Sequence, residues 1–186
     1  QVNGAENEFW HLVYIDGDGI KFNYQAPDSE GQLMGYEGCT ITGEAAGDII
    51  DNNGNIASKT PGWYLLYIQT ELDKRDILYT VNVLRPNVWL IGDVMGPDWS
   101  EENPAGLFTV PTTADGEFVS PAFIGAGEIR AYVKLPGTEW WKSEFIINKE
   151  KGKVDYRGLG GDQYRVSATV GQKFYINFST EDARVE

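Results

Sequence analysis

Apolar residues in this chain fall in short runs, several alternating with polar neighbours, and each run is closed by turn-forming residues. Segment Tyr164-Arg-Val-Ser-Ala-Thr-Val170 alternates as a half-buried strand should. No window carries the i, i+3, i+4, i+7 apolar spacing with caps that an amphipathic helix needs. Strands are predicted at Phe9–Ile15, Ile20–Tyr24, Trp63–Gln69, Leu78–Leu84, Val88–Gly92, Leu107–Val110, Glu128–Val133, Ser143–Ile147, Tyr164–Val170 and Lys173–Phe178. These segments are rich in Val, Ile, Tyr, Phe and Trp, and Asp-Gly, Asn-Gly, Pro-Gly and Gly-Gly punctuate them. About ten short strands with turns between them predict an all-β chain of β-sandwich architecture.

An internal repeat divides the chain. Glu8-Phe-Trp-His-Leu-Val-Tyr-Ile15 and its continuation to Tyr24 align without a gap on Glu117-Phe-Val-Ser-Pro-Ala-Phe-Ile124 and its continuation to Val133. Glu, Phe and two Ile coincide, and Tyr14/Phe123 and Lys21/Arg130 are conservative matches. Further on, Gly62-Trp-Tyr64 resembles Gly161-Asp-Gln-Tyr164, and Val81-Asn-Val83 resembles Ile176-Asn-Phe178. The reading is two units, 1–85 and 86–186, with a short, stiff connection. The segment Val88 to Val110 has no counterpart in the first unit, which is therefore expected to lack its first strand.

Charge narrows the function. Against 15 Lys+Arg stand 28 Asp+Glu, a formal net charge of −13. That excludes a chain that binds phosphate backbones by counterion release, so no nucleic-acid partner is expected. It also disfavours electrostatic attachment to anionic lipid. No apolar run approaches the ~20 residues of a membrane-spanning helix, and no signal-peptide pattern opens the chain. One cysteine, Cys39, excludes an internal disulfide, and one histidine, His11, excludes most zinc sites.

Candidate chemistry is sparse apart from the aromatic residues: 6 Trp, 10 Tyr and 8 Phe. Asp51-Asn-Asn-Gly-Asn55 lacks the Gly and Glu that an EF-hand requires at its sixth and twelfth positions, and Asp16-Gly-Asp18-Gly fails similarly. Both read as tight turns, and no metal site or cofactor is expected. No nucleophile elbow and no phosphate-binding loop occurs. His11 lies mid-strand, and Cys39 reads as an inert small residue.

Trp140-Trp141-Lys142, with Trp99, Tyr132 and Lys134, combines flat rings with hydrogen-bond donors. Sugars recognise that combination, packing C–H faces on rings and bonding their hydroxyls around them. Neighbours on a strand point to opposite faces, so Trp140 and Trp141 cannot both be core. Alternatively one packs the core and the other covers a sheet edge. Trp63 and Trp89 sit in apolar strand patterns and are expected inside; Trp10 is ambiguous. The first unit has no Trp-Trp pair, Tyr36 being the nearest substitute, so binding is expected to concentrate in the second.

Val88-Trp-Leu-Ile-Gly-Asp93 followed by Trp99 resembles the opening of the SusE/SusF-like outer-membrane starch-binding lipoproteins of Bacteroidota. Leu107-Phe108, Asp115-Gly-Glu-Phe118, Gly127-Glu-Ile-Arg-Ala131, Trp140-Trp141 and the Gly-x-Tyr of Gly62-Trp-Tyr64 follow in that family's order. Lys21-Phe22 fits its Lys-Phe strand, whereas Arg130-Ala131 departs from it. The resemblance implies tandem immunoglobulin-like, carbohydrate-binding-module-like sandwiches on the cell surface. A lipid anchor upstream of Gln1 would hold them at the outer membrane. They would hold polysaccharide beside other glycan-uptake proteins without cleaving it. The expected glycan-binding residues are Trp99, Tyr132, Lys134, Trp140, Trp141 and Lys142. The alternatives are a structural spacer or protein-interaction domain with no sugar ligand, and an enzyme or its accessory domain.

Overall fold

The structure is a computed structural model that describes residues 1–25 and 30–186. Those residues form strands, short 3-10 turns and loops, with no α-helix among them. They divide into two compact units, Asn7–Arg85 and Pro86–Glu186, and Gln1–Glu6 pack with the latter.

In the unit Asn7–Arg85 the strands are β1 (Glu8–Ile15), β2 (Phe22–Tyr24), β3 (Gln32–Met34), β4 (Thr40–Thr42), β5 (Ile49–Asn52), β6 (Asn55–Ser58), β7 (Gly62–Asp73) and β8 (Asp76–Leu84). One sheet runs β1-β7-β8-β4, and β2–β3 and β5–β6 form separate hairpins. Tyr79, Val81 and Val83 alternate inward along β8, while Trp63 to Ile68 on the central β7 are all buried because both faces are covered. Ile15, Ile49, Ile56, Tyr64, Leu66, Ile68, Val81 and Val83 make the core between the layers. The β5–β6 turn needs two left-handed residues in succession. Asn53 (φ 53) and Gly54 (φ 80) supply them, while Asp51 Oδ1 accepts from Gly54 N at 2.7 Å. Asp16 Oδ1 likewise accepts from Asp18 N and Gly19 N. Both acidic stretches are turns, as their composition predicts.

In the unit of residues 1–6 and 86–186 the strands are β9 (Val88–Ile91), β10 (Phe118–Val119), β11 (Gly127–Glu128), β12 (Arg130–Val133), β13 (Glu144–Asn148), β14 (Lys153–Tyr156), β15 (Ser167–Ala168), β16 (Phe174–Asn177) and β17 (Asp182–Val185). A seven-stranded sheet runs β10-β16-β17-β14-β13-β12-β9. Between β14 and β17 it holds only the pair Lys153↔Asp182, so it folds there into two layers. Phe178 packs edge-on against Phe118 from one layer and Phe145 from the other, at 5.0 and 5.7 Å between centroids. Leu107 and Thr109, expected in a strand of their own, instead form single bridges to Trp89 of β9 and Val119 of β10. Both outer strands are thereby bonded rather than left open.

The strand registers test the repeat. Phe9 faces Ile68 across β1–β7, and Phe118 faces Ile176 across β10–β16, so the gapless alignment of Glu8 with Glu117 is structural. The two later matches are not. By register Ile68 corresponds to Ile176 and Val81 to Ala183, which makes β7 the counterpart of β16 and β8 that of β17. Val81-Asn-Val83 and Ile176-Asn-Phe178 therefore belong to different strands. Residues 161–164 form no strand at all.

Candidate functional site

The Trp-Trp pair does not lie on a strand. Residues Trp140–Ser143 form a 3-10 turn leading into β13, held by Ser143 Oγ donating to Val133 O and by Lys142 O accepting from Asn3 N at 2.8 Å. On a 3-10 turn successive side chains diverge by about 120° rather than 180°. Both indoles can therefore reach one cleft, and both are half-buried in it.

Trp99 arrives from the loop after β9. Its backbone is left-handed (φ 43), as is that of Glu102 (φ 52), and two side-chain bonds hold this strained loop. Trp99 Nε1 donates to Asp93 Oδ1 at 3.1 Å, and Glu102 N donates to Tyr132 Oη at 2.6 Å. The other Asp93 oxygen accepts from Glu128 N at 3.0 Å. The hydrogen bonds from Glu128 N and then Trp99 hold the Asp93 carboxyl below its ordinary pKa. The preceding Gly92 (φ 111) leaves no room for a Cβ, which would stand 2.4 Å from Glu128 O. The Gly-Asp pair ahead of the Trp is thus the device that aims the ring.

The Trp99 and Trp140 rings stand 6.0 Å apart and are tilted by 58°. They bound a cleft of about 470 Å³, lined also by Trp141, Glu128, Arg130, Arg157, Asp162 and Arg165. The rings are angled walls, not a plane. The Arg157 guanidinium lies over Trp141, 4.7 Å from the ring centroid, so one face of that indole is already covered. Arg157 holds this position by pairing with Glu144, although its Nε is buried without a partner.

Beneath the rings is an ion network. Arg130, 3% exposed, donates to Glu128 at 2.7 Å, Glu144 at 3.0 Å, and Asp162 and the Gln163 carbonyl at 3.3 Å. Burial works against its charge, but the hydrogen bond to Glu128 and the charges of Glu144, Glu128 and Asp162 outweigh it and hold its pKa above the ordinary value. Arg165 bonds the other Glu128 oxygen at 2.6 Å. Three arginines therefore face three carboxylates, and the cleft is electrically balanced within a strongly acidic chain.

Of the residues expected from sequence, Trp99, Trp140 and Trp141 line the cleft together. Tyr132 does not: it is fully buried, packs behind Trp140 at 6.0 Å and anchors the Trp99 loop through its hydroxyl. Lys134 is paired with Glu101 and the Thr138 carbonyl, and Lys142 with Glu139 at 3.1 Å; neither lines the cleft. The cations that do line it are Arg130, Arg157 and Arg165. Glu128 and Arg130 were visible as two charged residues on one face of an apolar strand. Arg157 and Arg165 carry no local signal, because distant loops bring them in. Trp63 is in the core as expected, at 4% exposure, but Trp89 is half-buried because it points away from inward-facing Val88 and Leu90 on β9. His11 is exposed on β1, while Cys39 packs against the core of its unit, where burial pushes its thiol to about 11.

A larger depression, about 570 Å³, lies on the unit Asn7–Arg85. Among the described residues its one ring, Tyr24, is packed edge-on against Phe9 and Tyr79, and no arginine lines it. Stacking surface with donors around it, not volume, distinguishes the smaller cleft.

Comparisons with known proteins identify the family. The profile of the SusF/SusE starch-specific CBMs (carbohydrate-binding modules) matches residues 1–80 and 87–184. The outer membrane protein SusF of Bacteroides thetaiotaomicron is 38% identical over 191 residues, covering 100% of this chain and 38% of that protein. The crystal structure of SusF from the same organism superposes with a TM-score of 0.85 at 36% identity, over 100% of this chain and 41% of that one. The chain thus spans about two fifths of the length of these relatives.

Proposed function

The chain belongs to the SusF/SusE family of starch-specific carbohydrate-binding modules, and from that premise we propose that it holds a starch-like glycan without cleaving it, in the cleft of Trp99, Trp140 and Trp141. The observation that carries this reading is the half-exposed indole pair tilted by 58° over a charge-balanced floor. An α-linked glucan curves, so successive sugar faces meet a bent surface better than a flat one. Trp99 and Trp140 supply the stacking area, and Arg157 and Arg165 donate to hydroxyls. Asp162, whose side chain is 69% exposed, accepts. Trp141, capped by Arg157, closes the cleft and fixes that guanidinium.

The carboxylates lining the cleft support a non-catalytic role. Glu128 is paired with both Arg130 and Arg165, and Asp162 lies within pairing distance of Arg130 and Arg157, so the cleft offers no pair of unpaired carboxyl groups of the kind that flanks a scissile glycosidic bond. The setting we propose is the outer membrane of a glycan-utilising cell, with the polysaccharide and other outer-membrane uptake proteins as partners. No helix among the described residues is long and apolar enough to cross a membrane. For the unit Asn7–Arg85 a spacer role is favoured by one observation: the sequence between β2 and β3, the counterpart of the Trp140-Trp141 connection by register, contains no aromatic residue.

Calorimetric titration of the intact chain with maltooligosaccharides tests the reading. The expected result is about one ligand per chain, with affinity falling roughly ten-fold or more in Trp140→Ala. Wild-type affinity in Trp99→Ala and Trp140→Ala alike would overturn it.

A further inference from the structure

Two depressions in the unit of residues 86–186 share one residue. Arg165 lines the aromatic cleft and also a second depression of about 450 Å³, lined in addition by Asn148, Lys149, Glu150, Tyr164 and Ser167. The backbone runs from one to the other. Asp162 lines the cleft, Tyr164 the second depression, and Arg165 both. Arg165 is a bridge rather than a wall: Glu128 tethers one of its nitrogens at 2.6 Å while the side chain remains 78% exposed. Most of its donor fork therefore faces solvent.

The second depression has the makings of a sugar subsite. Tyr164 is 50% exposed, a large ring surface left at the rim of a concavity. Lys149 Nζ donates one of its three protons to Ser167 O at 2.7 Å, and Glu150 stands in the same lining, so donors and an acceptor surround the ring. A polymeric ligand already held in the cleft reaches an adjoining subsite without a second loss of translational freedom, so even modest contacts add to its affinity.

We infer that the binding surface continues past the tryptophans, with the glycan chain crossing Arg165 and stacking a further sugar on Tyr164. This rests on the reading of the aromatic cleft as a glycan site. It assigns the second depression to the same polysaccharide, and it makes affinity depend on chain length.

The test compares a short maltooligosaccharide of about three units with a long one of about seven, titrated into the intact chain and three variants. In the wild type the long ligand binds about five-fold tighter. Tyr164→Ala abolishes that advantage and leaves the short ligand at its wild-type affinity, which also shows that the variant is folded. Tyr164→Phe, which keeps the ring, retains the advantage. An undiminished advantage in Tyr164→Ala, or none in the wild type, overturns the extension. Trp140→Ala separates the two readings. If it removes both affinities while Tyr164→Ala removes neither, the cleft stands and the extension falls. Should Trp140→Ala bind both ligands as the wild type does, the cleft reading fails first.

Discussion

Arg130 is a charge at 3% exposure, held by Glu128 and Glu144 whose side chains are 5% and 0% exposed. Replacing it with Met would leave Glu128 only the exposed Arg165 and Glu144 only Arg157. Removing one partner of such a buried network costs about 3–5 kcal/mol. The unit of residues 86–186 should accordingly melt about 10–20 °C lower in Arg130→Met, read by calorimetry. Arg130→Lys should not rescue it, since an ammonium cannot span the same acceptors. Asp93 acts differently, through aim rather than stability. Its carboxyl lies below the ordinary 3.8, so its contribution is complete above that value and disappears as pH falls through its lower, folded value. Oligosaccharide affinity should therefore be flat from pH 7 to about pH 4 as far as this residue governs it. Asp93→Ala should weaken binding about three- to ten-fold at every pH in that range, with Trp fluorescence reporting the freed ring.

At the scale of elements, the longest strands were the legible ones. β1, β7 and β8 are apolar enough to declare themselves, and the first half of the repeat follows from β1 and β10. β3, β4, β5, β6, β10, β14 and β17 were not foreseen: Thr40–Thr42 has little apolar content and becomes a strand by pairing with the distant β8, while Asp182–Val185 becomes one by pairing with the adjacent β16. The later repeat matches failed for a related reason. Ile176 and Val81 share local sequence but not register, and loops of different length hide the true partners. The site was half legible. Trp99, Trp140 and Trp141 were expected and do line the cleft, yet Trp140 and Trp141 were placed on a strand, and Arg157 and Arg165 were missed because tertiary contacts assemble them. One element carries its own prediction. Gly92 joins β9 to the Asp93 turn, and a Cβ there meets Glu128 O at 2.4 Å with φ at 111. Gly92→Ala should cost more than ~1 kcal/mol in denaturant unfolding and should weaken glycan binding, since it moves Asp93 and Glu128 apart.

Across the whole molecule, the charge of −13 and the charge-balanced cleft serve different ends. An anionic polysaccharide would be repelled by the chain as a whole and would bind more tightly as added salt screened that repulsion. A neutral glucan feels no such field. The ion network beneath the rings is buried and therefore weakly screened, and the stacking contacts are not electrostatic in origin. Affinity for maltooligosaccharides should accordingly change by less than about two-fold between roughly 0.05 and 0.5 M NaCl. Steep weakening with salt would mean that charge at the exposed Arg165 and Lys149, and not stacking on the tryptophans, holds the ligand, and would overturn this reading. On the proposed reading the excess of acid lies outside the cleft, and the paired charges within it leave rings and hydroxyl partners to select the sugar.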